Sequence, residues 1–194
     1  MSTSFYAMLS RMKYIPRWAL MRNSRQENIE EHTAEVAIIA HALAEITNKR
    51  FEGQVDVSKC VLLALYHDVP EIITGDMPTP VKYHDESIRD AYKNVERGAA
   101  KRLLNQLPED LQEAYEPYLL PEDESCIEAR LCKAADKFSA LIKCIEEEKS
   151  GNVEFKQAKI ATEQSVKAMH LPAVDVFLNE FIPAFELTLD EQEQ

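Results

Sequence analysis

An all-α fold, a helical bundle in a single domain, is predicted by three features of this 194-residue chain. Only 4 glycines occur, while Ala, Leu, Glu and Lys are plentiful, which favours long helices over a glycine-turned sheet protein. Apolar residues recur every three or four positions through most of the chain, and hairpin signals are scarce. Hydrophobic residues make up 45%, enough for one substantial core and against disorder.

The elements follow in order. Phe5 to Tyr14 is a short amphipathic helix closed by Ile15–Pro16, because the residue before a proline is pushed out of the helical region. Pro16 to Asn28 is polar and aperiodic, an ordered loop. A long helix starts at Ile29 or Glu30 and ends at Asn48, with His32, Val36, Ile39, Leu43 and Ile46 on its apolar face. Phe51 to Asp56 connects it to a central helix, Val57 to Ile73, whose Cys60–Leu65 stretch is almost continuously apolar. Thr74 to Pro80 is a loop stiffened by Pro78 and Pro80. Helices are then expected over Ser87–Leu104, Glu109–Tyr118, Glu124–Glu147, Glu154–Met169 and Val174–Phe181, with Gly151 and Pro183 as breaks. The domain spans residues 1–189, and the acidic tail 190–194 is expected to fray.

The formal charge is −12, which repels nucleic-acid polymers over most of the surface yet leaves room for a local anion pocket. The first 25 residues hold Arg11, Lys13, Arg17, Arg22 and Arg25 and no carboxylate. Cys60, Cys126, Cys132 and Cys144 have no CxxC spacing, so buried free thiols in a reducing compartment are expected. Neither a signal peptide nor an uncharged apolar run of membrane length is present, and a cytoplasmic protein with no membrane association is expected.

The sharpest local signal is His67-Asp68-Val69-Pro70-Glu71. On a helix, adjacent His67 and Asp68 point about 100° apart, near enough to share one ion over that edge. Glu71 falls four positions after His67, on nearly the same face, where a carboxyl group serves proton transfer. Alone, His67 also suits a hydrogen-bonded core histidine and Asp68 a local cap. Their place at the end of an apolar helix weighs against that, since an unpaired buried aspartate is costly. His32 sits on the inward stripe of its helix, and Asp136 lies within Ala134-Ala135-Asp136-Lys137-Phe138. Each taken singly has an ordinary explanation, a satisfied core histidine or a partner for Lys137. Two inward polar residues on separate helices, together with the His67-Asp68 pair, make a convergent metal site a simpler account than four independent exceptions.

This arrangement resembles the HD-domain metal-dependent phosphohydrolases, whose ligands are a first histidine, a His-Asp pair and a distant aspartate. Across Phe5 to Leu189 the chain is similar to the bacterial 5'-deoxynucleotidases of that superfamily. The similarity is carried by Pro16-Arg17-Trp18, Arg22-Asn23, Glu31-His32-Thr33, Tyr66-His67-Asp68, Glu71-Ile72, the run Thr74 to Lys82, Lys133-Ala134-Ala135-Asp136 and Phe181-Ile182-Pro183.

The resemblance implies an HD-type bundle that acts as a homodimer. It implies hydrolysis of 2'-deoxyribonucleoside 5'-monophosphates to deoxyribonucleosides and phosphate, with weak base preference. His32, His67, Asp68 and Asp136 are the implied ligands of one divalent ion, cobalt or manganese, and Glu71 the proton-transfer residue. Arg17 and Trp18 are implied to recognise the nucleotide and Asp76 the sugar near its 3'-hydroxyl.

Read on chemistry alone, Arg17 offers a guanidinium fork to a phosphate dianion, and the ion polarises the phosphoryl group. Trp18 serves core packing equally well, and Asp76 serves an Asx turn at Gly75. Thr79 and Lys82 either border the phosphate or belong to an ordinary loop. The mixed nitrogen and oxygen ligands accept several transition metals. The alternatives are an HD-type enzyme acting on nucleoside triphosphates or cyclic nucleotides, and a noncatalytic metal-bound nucleotide-binding protein.

Overall fold

The structure, a computed structural model, describes residues 3–82 and 84–193. Eleven α-helices and three 3₁₀ turns account for the regular structure among them, and the only bridge of β type is an isolated pair, Pro16 with Asn28. The all-α expectation holds. The helices are α1 Phe5–Leu9, α2 Ile29–Arg50, α3 Val57–Tyr66, α4 Glu71–Thr74, α5 Thr79–Lys82, α6 Glu86–Leu104, α7 Glu109–Leu119, α8 Ile127–Lys149, α9 Lys156–Lys167, α10 Pro172–Glu180 and α11 Leu189–Gln192.

Four expectations need correction. The first helix is shorter than Phe5–Tyr14: α1 ends at Leu9, and a separate 3₁₀ turn covers Met12–Tyr14. The central helix does not reach Ile73. Pro70 lacks an amide proton, and in a helix its ring would clash with the carbonyl four residues earlier, which belongs to Tyr66. The helix accordingly stops at Tyr66, whose carbonyl accepts the Val69 N–H at 3.3 Å, and restarts at Glu71. The stretch expected as loop, Thr74–Pro80, contains the start of α5. The acidic end is ordered into α11 by a capping box, in which Thr188 and Glu191 satisfy each other's exposed groups. The last tail residue, Gln194, lies outside the described residues.

The chain forms two compact units, each from separate segments. The first comprises the chain up to Leu20, Gln26–Ala34 and Leu65–Glu124. Its core joins Phe5 and Met12 to Ile29, Val69, Leu103, Leu104, Leu107 and Leu119. Phe5 stacks edge-on with Tyr115 at 5.5 Å between ring centres, and Tyr115 likewise with Tyr66 at 5.7 Å, which ties α1 and α7 to the end of α3.

The second unit comprises Met21–Arg25, Glu35–Ala64 and the chain from Ser125 onward. Its longest element, α8, packs against α9 and the 3₁₀ turn Ile182–Glu186, and Phe138 meets Phe177 at 4.7 Å. Three of the four cysteines are buried, Cys126 is half-buried, and all are free thiols. Burial pushes the Cys60 thiol up to about 12, with Glu128, Cys126 and Asp56 adding to the rise, so it stays protonated.

Glu147, on α8, is the polar hub of this unit. Its carboxylate accepts from the Ser24 amide (2.8 Å), Asn152 Nδ2 (2.8 Å) and Lys143 Nζ, while Lys143 also donates to the Arg25 carbonyl (2.6 Å). Burial opposes its charge, but these donors more than offset it and hold the carboxyl well below the usual range. Removing one partner of such a buried pair leaves the other charge uncompensated. Glu147→Ala is therefore expected to lower stability by about 3–5 kcal/mol, read as a reduced urea midpoint with little change in m-value; an unchanged midpoint would refute the hub role.

Candidate active site

Local sequence chemistry places the first histidine. Asn28 caps α2, its Oδ1 accepting the amides of Glu30 at 3.0 Å and Glu31 at 3.1 Å, while its carbonyl accepts the His32 amide at 3.1 Å. His32 thus stands one turn into α2, and it is 1% exposed. The helix break at Pro70 places the second and third groups. His67 and Asp68 lie in the turn between α3 and α4 rather than on a continuous helix, and Glu71 opens α4.

These groups meet at one point within the first unit. His32 Nε2 lies 3.4 Å and His67 Nε2 3.2 Å from Asp68 Oδ2, and the donor atoms of all three fall within 4.8 Å of one another. Imidazole nitrogens and a carboxylate oxygen are a donor set for a divalent transition ion. Donors on one tetrahedral ion at about 2.0–2.1 Å sit roughly 3.3 Å apart, close to the spacings seen here. The residues present therefore fit a metal. Asp136 is half-buried on α8, beside the buried Ala135, in the second unit.

Arg17 Nη1 faces the same Asp68 oxygen at 3.4 Å. Burial pushes the Asp68 carboxyl upward, but His67, His32 and Arg17 outweigh it and hold the group ionised, well below its ordinary value. Glu71 behaves oppositely. It is 5% exposed, and its Oε2 has no hydrogen-bond partner among the described residues. Burial, then the charges of Asp68 and Asp76, raise its carboxyl far above the usual range, with Arg17 and Lys82 opposing. Two carboxyl groups three residues apart are thereby pushed in opposite directions, the pattern expected where one binds charge and the other handles protons.

The remaining expected residues also gather here. Asp76 accepts the backbone N–H of Trp18, and burial raises its carboxyl against the pull of Arg17. Trp18 has φ +59°, a left-handed backbone that an aromatic residue rarely takes and that costs about 1–3 kcal/mol. Gly75, at φ +74° and ψ +161°, turns the chain between α4 and Asp76 in a region open essentially to glycine alone. Tyr92 on α6 fixes this turn, its hydroxyl donating to the Gly75 carbonyl at 3.1 Å.

Two further side chains contribute, one left open between two readings by the sequence and one given no role there. Lys82 pairs with Glu96 at 2.8 Å and lies over the Tyr92 ring at 5.1 Å, fastening α5 to α6 beside the site. The sequence leaves Lys82 open between a phosphate neighbour and an ordinary loop residue. Glu27 accepts the Trp18 indole N–H at 2.8 Å, a contact across nine positions of aperiodic loop that no periodicity marks. The Thr79 side chain lies outside what the structure describes.

Solved structures of HD-domain phosphohydrolases share this helical arrangement. One from Listeria innocua superposes with a TM-score of 0.83, over 98% of this chain and 92% of that one, at 24% identity. The cyanophage S-2L HD phosphohydrolase, solved with dA and one catalytic Zn²⁺ ion, gives 0.65 over 94% and 96% of the two chains at 20% identity. At that identity the likeness concerns the fold.

Sequence is more specific: the chain belongs to the 5'-deoxynucleotidase YfbR-like family, which matches residues 4–185. A 5'-deoxynucleotidase of Photorhabdus temperata is 48% identical over 96% of this chain and 95% of its own length. One of Vibrio vulnificus is 46% identical over 96% of each. The chain is accordingly a phosphohydrolase, and the resemblance read from its motifs is kinship.

Because His67 supplies one of only three convergent donors among the described residues, His67→Ala is expected to retain less than about a tenth of the wild-type metal after dialysis. Elemental analysis of protein with wild-type helical circular dichroism reads this directly. Full occupancy in that variant would place the ion elsewhere.

Proposed function

We propose that the protein removes phosphate from 2'-deoxyribonucleoside 5'-monophosphates, with weak base preference, as a cytoplasmic homodimer using one cobalt or manganese ion. The shared name of its relatives supports the substrate class. The observation that carries the site assignment is the junction of Trp18 with Asp76 beside the convergent His32, His67 and Asp68. Among the described residues, no helix is long and apolar enough to cross a membrane.

In this reading His32, His67, Asp68 and Asp136 hold the ion. When bound, it supplies positive charge to the phosphoryl oxygens and lowers the pKa of water. Arg17, half turned toward Asp68, offers its guanidinium to the phosphate dianion, which a chain of net charge −12 would otherwise repel. Glu71 carries the proton at Oε2, where burial and the neighbouring carboxylates favour the neutral form, and positive charge at the site draws the proton away. Trp18 packs the sugar, and Asp76 accepts from its 3'-hydroxyl. The base points to solvent, which accounts for weak discrimination among bases.

Glu71→Gln preserves shape and the proposed ligands but removes the transferable proton. Its kcat is expected to fall about 10²- to 10⁴-fold with metal content unchanged; wild-type turnover would exclude Glu71 from proton transfer.

The substrate class is tested by kcat/KM on dAMP, AMP, dTMP and dGMP with the same loaded metal. A ribose 2'-hydroxyl left unsatisfied in the pocket costs about 1–3 kcal/mol, so dAMP should exceed AMP by roughly ten- to hundredfold, with the deoxynucleotides close to one another. Equal efficiency on AMP and dAMP would overturn the deoxy preference, and pyrophosphate release from triphosphates would point to a different HD-type reaction.

A further inference from the structure

Arg17 and Trp18 both contact a carboxylate to which the proposed reaction assigns no role. Glu27 Oε2 accepts the Trp18 indole N–H at 2.8 Å and faces Arg17 Nε at 3.4 Å. The guanidinium is thus held at two ends, by Glu27 at Nε and by Asp68 at Nη1. The side chains of Arg17 and Glu27 are 11% and 13% exposed, so water competes weakly for these contacts.

A latch for the loop is the plainer role for Glu27, but the backbone already closes that loop. The Arg17 amide donates to the Glu27 carbonyl at 2.9 Å, Ile29 donates to the Ile15 carbonyl at 3.1 Å, and Pro16 bridges Asn28. What the carboxylate adds is orientation. Trp18 sits in left-handed backbone, which persists only where surrounding contacts over-determine it. Its main-chain N–H is engaged by Asp76 and its ring N–H by Glu27.

We propose that Glu27 is a positioning residue for nucleotide binding, aiming the Arg17 guanidinium and fixing the Trp18 ring without touching substrate itself. This rests on the reading of Arg17 and Trp18 as substrate contacts. Loss of the carboxylate frees the ring and lets Arg17 turn fully toward Asp68, which weakens ground-state and transition-state binding alike.

The chain has one tryptophan, so intrinsic fluorescence reports Trp18 alone. The experiment uses the metal-loaded full-length enzyme and its Glu27→Ala and Glu27→Gln variants. Glutamine keeps an oxygen to accept the indole N–H but loses the charge facing Arg17. Glu27→Ala is expected to raise KM for dAMP about tenfold with kcat within about threefold of wild type. Acrylamide quenching of Trp18 should rise about twofold as the ring loosens, with metal content unchanged. Glu27→Gln should restore wild-type quenching and recover only part of the KM.

Wild-type quenching and KM in Glu27→Ala would overturn the proposal, as would quenching in Glu27→Gln equal to that in Glu27→Ala. Should Glu27→Ala fail to fold, Glu27→Gln decides: a raised KM with normal quenching supports the proposal, and an unchanged KM overturns it. If the wild-type enzyme does not turn over dAMP, the substrate reading has failed, and the quenching comparison still decides whether Glu27 holds Trp18.

Discussion

Gathering Asp68, Glu71 and Asp76 in one poorly solvated pocket is electrostatically unfavourable, because each carboxylate raises the cost of ionising the next. The first unit is arranged around that problem. Groups that favour its ionised form reach Asp68 from three directions: from α2 through His32, from the turn after α3 through His67, and from the N-terminal loop through Arg17. Once Asp68 is ionised and held, Glu71 cannot easily follow and keeps its proton. A divalent ion at the same point would relieve the repulsion further, so metal affinity and the perturbed carboxyl groups have one origin.

The helix break at Pro70 is what makes this geometry available. On an uninterrupted helix, neighbouring side chains diverge by about 100°, and His67 and Asp68 would approach an ion only from its edge. Ending α3 at Tyr66 lets the turn bring His67 Nε2 to 3.2 Å from Asp68 Oδ2 and starts α4 with Glu71. The same residue that shortens the central helix thereby separates a carboxylate held ionised from one held protonated.

Periodicity made the long helices legible. The stripe His32, Val36, Ile39, Leu43 and Ile46 located α2, and His32, Val36 and Leu43 are fully buried or nearly so. The His67-Asp68 pair and Glu71 were legible because buried acids beside an apolar helix demand partners. The shorter features were not. Nothing in the composition of Asp190–Gln194 outweighs its charge except the Thr188–Glu191 capping box, whose first member lies before the segment read as tail. In the sequence Glu27 is one member of a carboxylate run with Glu30, Glu31 and Glu35, and nothing marks its role because its partners lie in a loop with no repeat. Arg17, Trp18 and Asp76 are assigned by family resemblance, while Trp18 suits core packing and Asp76 an Asx turn equally well.

Discrimination against one hydroxyl needs a pocket that does not relax to accept it, since a yielding loop would let water or a shifted side chain satisfy the extra group. The segment bearing Asp76 is held in three ways: Gly75 has a backbone conformation closed to other residues, Tyr92 ties the Gly75 carbonyl to α6, and the Trp18 amide is bonded to Asp76 itself. Lys82, bridged to Glu96 and lying over Tyr92, fastens the far end of the same segment. On the proposed reading, sugar selectivity therefore depends on α6 as much as on the residues that touch the nucleotide. On that reading Tyr92, bonded to Thr74 and to the Gly75 carbonyl, restrains the turn that carries Asp76.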